Sequence, residues 1–146
     1  MGLIFSIFLF VVGLMYANVV EYSVHRYLFH GLGKSKNSIF AFHLRGHHLV
    51  CRKNDFLDLK ISFFETFGVF ILILLQAPIY FILPYMFYGI TTYGILFVLL
   101  HNYMHKKPEF AKKYFPWHWN HHMKNQNKSW GVVLPVSDIL TGTLEK

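Results

Sequence analysis

The chain has 146 residues, a length for one domain, and at 54% hydrophobic and 19% aromatic it is too apolar for an ordinary water-soluble domain. Its formal charge is +7, but the basic residues border apolar runs and form no separate basic domain, which favours lipid headgroups over nucleic acid as their partner. Cys51 stands alone, which excludes a disulfide framework, a Cys-x-x-Cys redox pair and a thiolate metal cage.

The first element is an uncharged run from Leu3 to Val20, enough for one membrane-spanning helix of about 20 residues. It lacks a basic leading segment and runs directly into histidines, so it is expected to be a retained span and not a cleaved secretory signal. His25 and His30 follow. Their spacing does not share a face of a continuous α-helix, and Gly31 and Gly33 suggest a helix ending near His30, where an unwound end swings the second imidazole round. Glu21, one turn before His25, reads equally as a carboxylate that orients that imidazole or as a solvated anchor at the membrane surface.

His43 and His47 are four positions apart and fall on one helical face, with His48 offset by a further residue and the least well aligned of the three. Thr66 to Leu100 is a second uncharged run, 35 residues long. That is too long for one crossing, and Pro78 and Pro84 near its middle predict a tight hairpin of two short spans. His101 and His105 lie one turn apart at its far end, and His118, His121 and His122 have the i, i+3, i+4 spacing that gathers imidazoles on one side of a helix.

The fold expected is all-α: an integral membrane helical bundle of one N-terminal span plus a helical hairpin, with a histidine-rich helical cap, forming a single domain over residues 1–146. No Lys or Arg lies before Arg26 or between Ile61 and His105, so the basic residues flank the histidines and the positive-inside rule places the cap in the cytosol. The protein is therefore expected to be multi-pass, in the endoplasmic reticulum or a bacterial inner membrane. Asn127-Lys128-Ser129 is a glycosylation sequon that this topology leaves unused.

All ten histidines fall in these four clusters. One ion takes roughly four to six ligands, so ten imidazoles suggest two ions, and imidazole-only ligation suits iron, zinc, copper or nickel. The few carboxylates argue against a 2-His-1-carboxylate site and against carboxylate-bridged di-iron bundles.

The stretches Glu21 to His30, His101-Asn102-Tyr103-Met104-His105 and His118-Trp119-Asn120-His121-His122, with the tail from Gly131 to Thr143, resemble the fatty acid hydroxylase and sterol desaturase superfamily of membrane di-iron oxygenases. The likeness covers nearly the whole chain and is nearest to fatty acid 2-hydroxylases. It implies a four-helix membrane fold with a cytosolic cap over two iron ions, with zinc able to replace iron on purification. The implied ligands are His25, His30, His43, His47, His48, His101, His105, His118, His121 and His122, with Glu21 and Asp138 as supporting carboxylates and no catalytic residue beyond the ligands. In two places the chain departs from the family pattern. His43 to His48 is one residue longer than the usual His-x-x-His-His, and Ser137 stands where Trp is common before Asp138.

The implied reaction is O2-dependent hydroxylation of a lipid acyl chain, of a fatty acid or sphingolipid, at C2. Sterol or carotenoid oxidation and desaturation share the motifs, and a membrane zinc-binding protein without catalysis is the alternative from another class. No fused cytochrome b5 domain, such as some relatives carry, is expected, and the sequence has no haem, iron-sulfur or dinucleotide motif. A separate electron donor of cytochrome b5 or ferredoxin type is therefore expected. Lys106, Lys107, Lys112 and Lys113 are candidates for docking it, or for a patch that faces lipid headgroups.

Overall fold

The computed structural model describes residues 2–60 and 63–145, and among these every regular element is helical. α1 (Leu3–Ser23) spans about 31 Å at 1.5 Å per residue, matching the thickness of a bilayer's hydrocarbon core. It passes without interruption into a π-helical turn at Val24–Phe29, and a second π turn at His43–His48 leads into α2 (Leu49–Lys53).

α3 (Phe63–Leu75) and α4 (Pro78–Ile82) run as one apolar stretch, and the chain reverses at Leu83 into α5 (Pro84–Lys106). Of the two prolines at the expected hairpin tip, Pro78 only starts a new helical turn. Pro84 marks the reversal, occupying the first position of α5, where its missing N–H costs nothing. α6 (Pro108–Tyr114), α7 (Pro116–Met123) and α8 (Val136–Thr141) complete the chain.

Among the described residues, two helical stretches, Leu3–Lys34 and Phe63–Ile82, are long and apolar enough to cross a membrane. Burial is inverted relative to a soluble protein. Ile4 is 86% and Phe63 69% exposed, while His101 is 3% exposed, so the solvent these outer faces suit is lipid. α1 and α5 meet at Gly13 and Gly89, where a Cβ on either glycine would collide with a carbonyl oxygen of the opposite helix, Met86 or Phe10. This close approach of backbones is how apolar helices gain packing energy in lipid, where burial alone drives little.

The turn that continues α1 carries His25 and His30 and α5 carries His101 and His105, so the glycine crossing sets the relative position of four of the ten histidines. The C-terminal segment is strapped across α1. Buried Asn18 donates to the Leu134 carbonyl (2.8 Å) and accepts from the Ser137 N–H (3.0 Å) and hydroxyl (2.7 Å). Ser137 is thus the partner of a buried polar group on the first span.

Candidate metal centre

All ten histidines are buried, none more than 8% exposed, and they gather where the ends of α1 and α5 meet the π turns and α7. They form two adjoining sets. In the first, the ring nitrogens of His25, His30, His43, His48 and His121 all lie within 4.8 Å of one another. In the second, so do those of His47, His101, His105 and His122, with His118 beside them, its Nε2 at 3.2 Å from that of His105. The sets touch where the His48 and His122 rings stack, with centroids 4.1 Å apart.

Backbone geometry explains the sorting. His25 and His30 were expected to require an unwound helix end. Instead the His30 N–H donates to the His25 carbonyl (3.0 Å), the five-residue hydrogen bond of a π turn, which brings residues five apart onto one face. The same device at His43–His48 overturns the expected pairing of that cluster: His43 joins His48 in the first set, and His47 turns to the second. A wider turn absorbs the residue by which this cluster exceeds His-x-x-His-His, because i+4 and i+5 straddle a π turn as i+3 and i+4 straddle an α turn. α7 likewise splits its histidines, sending His121 to the first set and His122 to the second. They do not act from one side as a group.

Five of the ten rings are oriented by a hydrogen bond from Nδ1–H that leaves Nε2 for the neighbouring imidazoles. His25 donates to the Trp130 carbonyl (2.5 Å), His121 to the Lys128 carbonyl (2.6 Å), His43 to Glu65 Oε1 (2.6 Å) and His105 to the Phe56 carbonyl (3.1 Å). His47 Nδ1 lies 3.3 Å from Asp58 Oδ2 and His101 Nδ1 3.5 Å from Glu65 Oε2. Such outer partners fix the tautomer and raise ligand basicity in histidine metal sites.

Glu21 takes neither of its expected roles. Its carboxylate accepts from the Tyr93 hydroxyl (2.6 Å) and the Val132 N–H (3.0 Å), tying the C-terminal segment to the bundle, and the Trp130 carbonyl orients His25 in its place. Asp138 acts one step further out. It accepts from the Trp130 N–H (2.9 Å) and the Gly131 N–H (2.7 Å), holding the peptide whose carbonyl meets His25.

The arrangement fits metal. Within the first set, Nε2 atoms approach to 3.0 Å (His25 and His43), 3.1 Å (His30 and His48) and 3.2 Å (His30 and His121). Ligands bonded at about 2.1 Å and 90° apart would be separated by about 3.0 Å. Five nitrogens so close cannot all be satisfied by shared protons, whereas one cation satisfies them together. In the second set His47 Nε2 and both His122 nitrogens are buried without a hydrogen-bond partner among the described residues.

Burial, reinforced by neighbouring imidazoles, holds His43, His48, His118, His121 and His122 well below the ordinary imidazole pKa, the neutral form a metal requires. His47 is the exception. Burial pushes it down, but Glu65, Asp58 and Cys51 outweigh that and raise it to about 10, so its surroundings favour a cation.

A cavity of about 290 Å³ lies between α1, α3 and α5. Its walls are apolar, from Val20, Leu72, Ile90 and Phe97 among others, and it reaches His25 and His43 of the first set and His101 of the second.

Sequence reasoning missed Glu65, Asp58, Phe56 and the carbonyls of Lys128 and Trp130. Glu65 did carry a signal, being an acid at the head of a long apolar run. Backbone carbonyls have no side-chain signature to find.

The fatty acid hydroxylase family matches residues 10–143 of the chain. The chain is 31% identical over 143 residues to the dihydroceramide fatty acyl 2-hydroxylase FAH2 of Arabidopsis thaliana, covering 90% of this chain and 58% of that protein. It is 33% identical over 159 residues to the ceramide very long chain fatty acid hydroxylase SCS7 of Saccharomyces cerevisiae, covering 98% of this chain and 39% of that protein. The chain therefore spans well under two thirds of the length of either relative. No solved structure matches it.

Proposed function

The chain belongs to the fatty acid hydroxylase family, and from that premise we propose that it hydroxylates a lipid acyl chain with O2 at two iron ions held by its histidines. The observation that carries the reading is the apolar cavity between the spans that ends on both histidine sets at once. A fatty acid or sphingolipid acyl group, oxidised at C2, is the substrate that the names of the two relatives favour.

The first set would hold one ion through His25, His30, His43, His48 and His121, and the second set the other through His47, His101, His105 and His122, with His118 at its edge. Iron bound there would supply reductive activation of O2 and removal of hydrogen from a C–H bond. The protein's own part is to place and shield. Val20, Leu72, Ile90 and Phe97 hold the chain by apolar contact and exclude water, and His25, His43 and His101 bound the end where the reacting carbon must sit. The Trp130, Lys128 and Phe56 carbonyls and Glu65 keep Nε2 of their histidines turned inward.

The distribution of Lys and Arg favours several crossings with the histidine face in the cytosol. A separate donor of cytochrome b5 or ferredoxin type would then deliver electrons at the basic surface of Lys106, Lys107, Lys112 and Lys113.

The test is lipid profiling of cells that express the full chain under 18O2. Acyl chains heavier by one 18O atom are expected, and they should be absent with His101→Ala. Unchanged lipids beside a protein that binds zinc would replace the enzyme reading with that of a non-catalytic metal binder.

A further inference from the structure

Among the described residues, Glu65 is the one carboxylate that approaches both histidine sets. It lies in the first turn of α3, is 3% exposed, and belongs to a stretch otherwise apolar enough to cross a membrane. An acid in such a place costs several kcal/mol unless it is engaged, so its partners indicate why it is there. Oε1 accepts from Nδ1–H of His43, in the first set, at 2.6 Å. Oε2 faces Nδ1 of His101, in the second set, at 3.5 Å. Glu65 also lines the cavity beside both rings.

Resting on the metal reading above, we infer that Glu65 is a positioning residue that ties the two metal sets together, orienting one imidazole of each so that the second ion's affinity depends on the same carboxylate as the first's. The chemistry requires a carboxylate in particular. Nδ1–H of His43 donates to one oxygen and Nδ1 of His101 lies within ion-pair range of the other, and only a group with two acceptor oxygens can face both. A glutamine offers one acceptor and an NH2 donor. Its oxygen would keep the short bond to His43, and its nitrogen would oppose the N–H of His101. The ring of His101 would then lose the partner that points its Nε2 at the second set.

The experiment uses the full-length protein in detergent, stripped of metal and titrated with Co2+, whose visible spectrum reports ligand geometry. The native protein is expected to take up two ions. His122→Ala, which lacks a second-set ligand, supplies the reference spectrum of the first-set ion alone. Glu65→Gln should bind the first ion as the native protein does and the second about 10- to 100-fold more weakly, the usual cost of losing an outer partner. A general loss of packing would instead weaken both ions together and leave neither spectrum recognisable.

Two ions bound by Glu65→Gln with native affinities and native spectrum would overturn the inference and leave the metal centre standing, whereas a native protein that binds no ion would sink the metal reading itself. Should Glu65→Gln not fold, Glu65→Asp serves. It keeps the charge but falls one methylene short, so both ions should weaken while each keeps its native spectrum, which a general loss of packing would not allow, and unchanged affinities would overturn the inference equally.

Discussion

The two histidine sets use one kind of side chain and reach their geometry by different backbone devices. The first set draws its pairs, His25 with His30 and His43 with His48, from π turns in which residues five apart coincide. The second takes His101 and His105 from a regular stretch of α5, where residues four apart coincide. Their supports differ as well. Carbonyls of the segment 128–130 hold two rings of the first set, while the loop after α2 holds the second through the Phe56 carbonyl and Asp58. Phe56 reaches His105 with φ at 75°, a backbone conformation costly for a bulky residue and tolerated where packing fixes it. A dinuclear site need not have two equivalent halves, and these halves should fail in different ways.

The largest effect expected is loss of one ion at a time. His121 and His122 are neighbours in sequence, yet about 100° of helical rotation sends them to different sets. His121→Ala and His122→Ala should each leave one ion by metal analysis, the opposite one in each case, and each should reduce hydroxylation below detection. Two ions retained in either variant would break the division into sets.

Next comes the crossing that holds the sets in register. A leucine side chain at Gly89 would have to enter the space of the Phe10 carbonyl, forcing α1 from α5 and with it His25 and His30 from His101 and His105. Overpacking of this kind costs about 1–3 kcal/mol or more. Gly89→Leu is expected to lower thermal stability and to scramble both ions, whereas Gly68→Leu, with open space at that position, should do neither.

Acid should act on both sets through the imidazoles of the cap. His43, His48, His118, His121 and His122 have folded-state pKa values held far below the unfolded value of about 6.5 by burial. Between those values the unfolded chain binds more protons than the folded one. The stability from these groups is therefore complete above pH 6.5 and lost as pH falls below it. Thermal melts of metal-free protein from pH 8 to 5 should show a steep decline beginning near 6.5, and a flat profile would mean that the rings are not buried as neutral groups.

Asp138 sharpens the contrast in supports. Its two oxygens take the N–H groups of Trp130 and Gly131, and asparagine could accept only one of them. The N–H left over, buried, costs about 1–3 kcal/mol and loosens the Trp130 carbonyl that orients His25. Asp138→Asn should therefore weaken the first-set ion about 10-fold and spare the second.

Much of this was legible in residue spacing, and what escaped did so for identifiable reasons. The apolar runs, the hairpin and the four histidine clusters stand in the sequence. The five-residue spacing of His25 and His30 was also plain, and it is the π turn's own period. Read against an α-helix it demanded an unwound end, because the wider turn is rare enough to be overlooked. The same habit paired His43 with His47. Assignment of a histidine to a set depends on where α7 and the π turns dock, which is tertiary information. The outer supports are mostly peptide carbonyls that any residue could supply, so neither Trp130 nor Lys128 could be recognised. Glu21 shows the reverse case: a residue well placed in sequence whose bonds turn away from the expected ring.

The smallest effect expected is at Asp58, the counterpart of Asp138 in the second set. Its Oδ2 lies 3.3 Å from His47 Nδ1, longer than the bonds to the first-set rings, and the residue is partly open to solvent. The hydrogen bond from His47 holds its carboxyl below the usual carboxylate range, so the pair does interact. Solvent screens an interaction so near the surface, however, and such pairs contribute a fraction of what their geometry suggests. His47 also has Cys51 Sγ at 3.8 Å and is favoured as a cation by Glu65. Asp58→Asn keeps an oxygen able to accept from Nδ1–H but removes the charge and the second acceptor, the Oδ1 that takes the exposed Lys60 N–H (3.0 Å). Second-set affinity should therefore fall by a few-fold at most, measured by Co2+ titration beside Asp138→Asn. If Asp58→Asn weakened its ion more than Asp138→Asn weakens the first, the loop after α2 and not the C-terminal strap would be the stronger support of the centre.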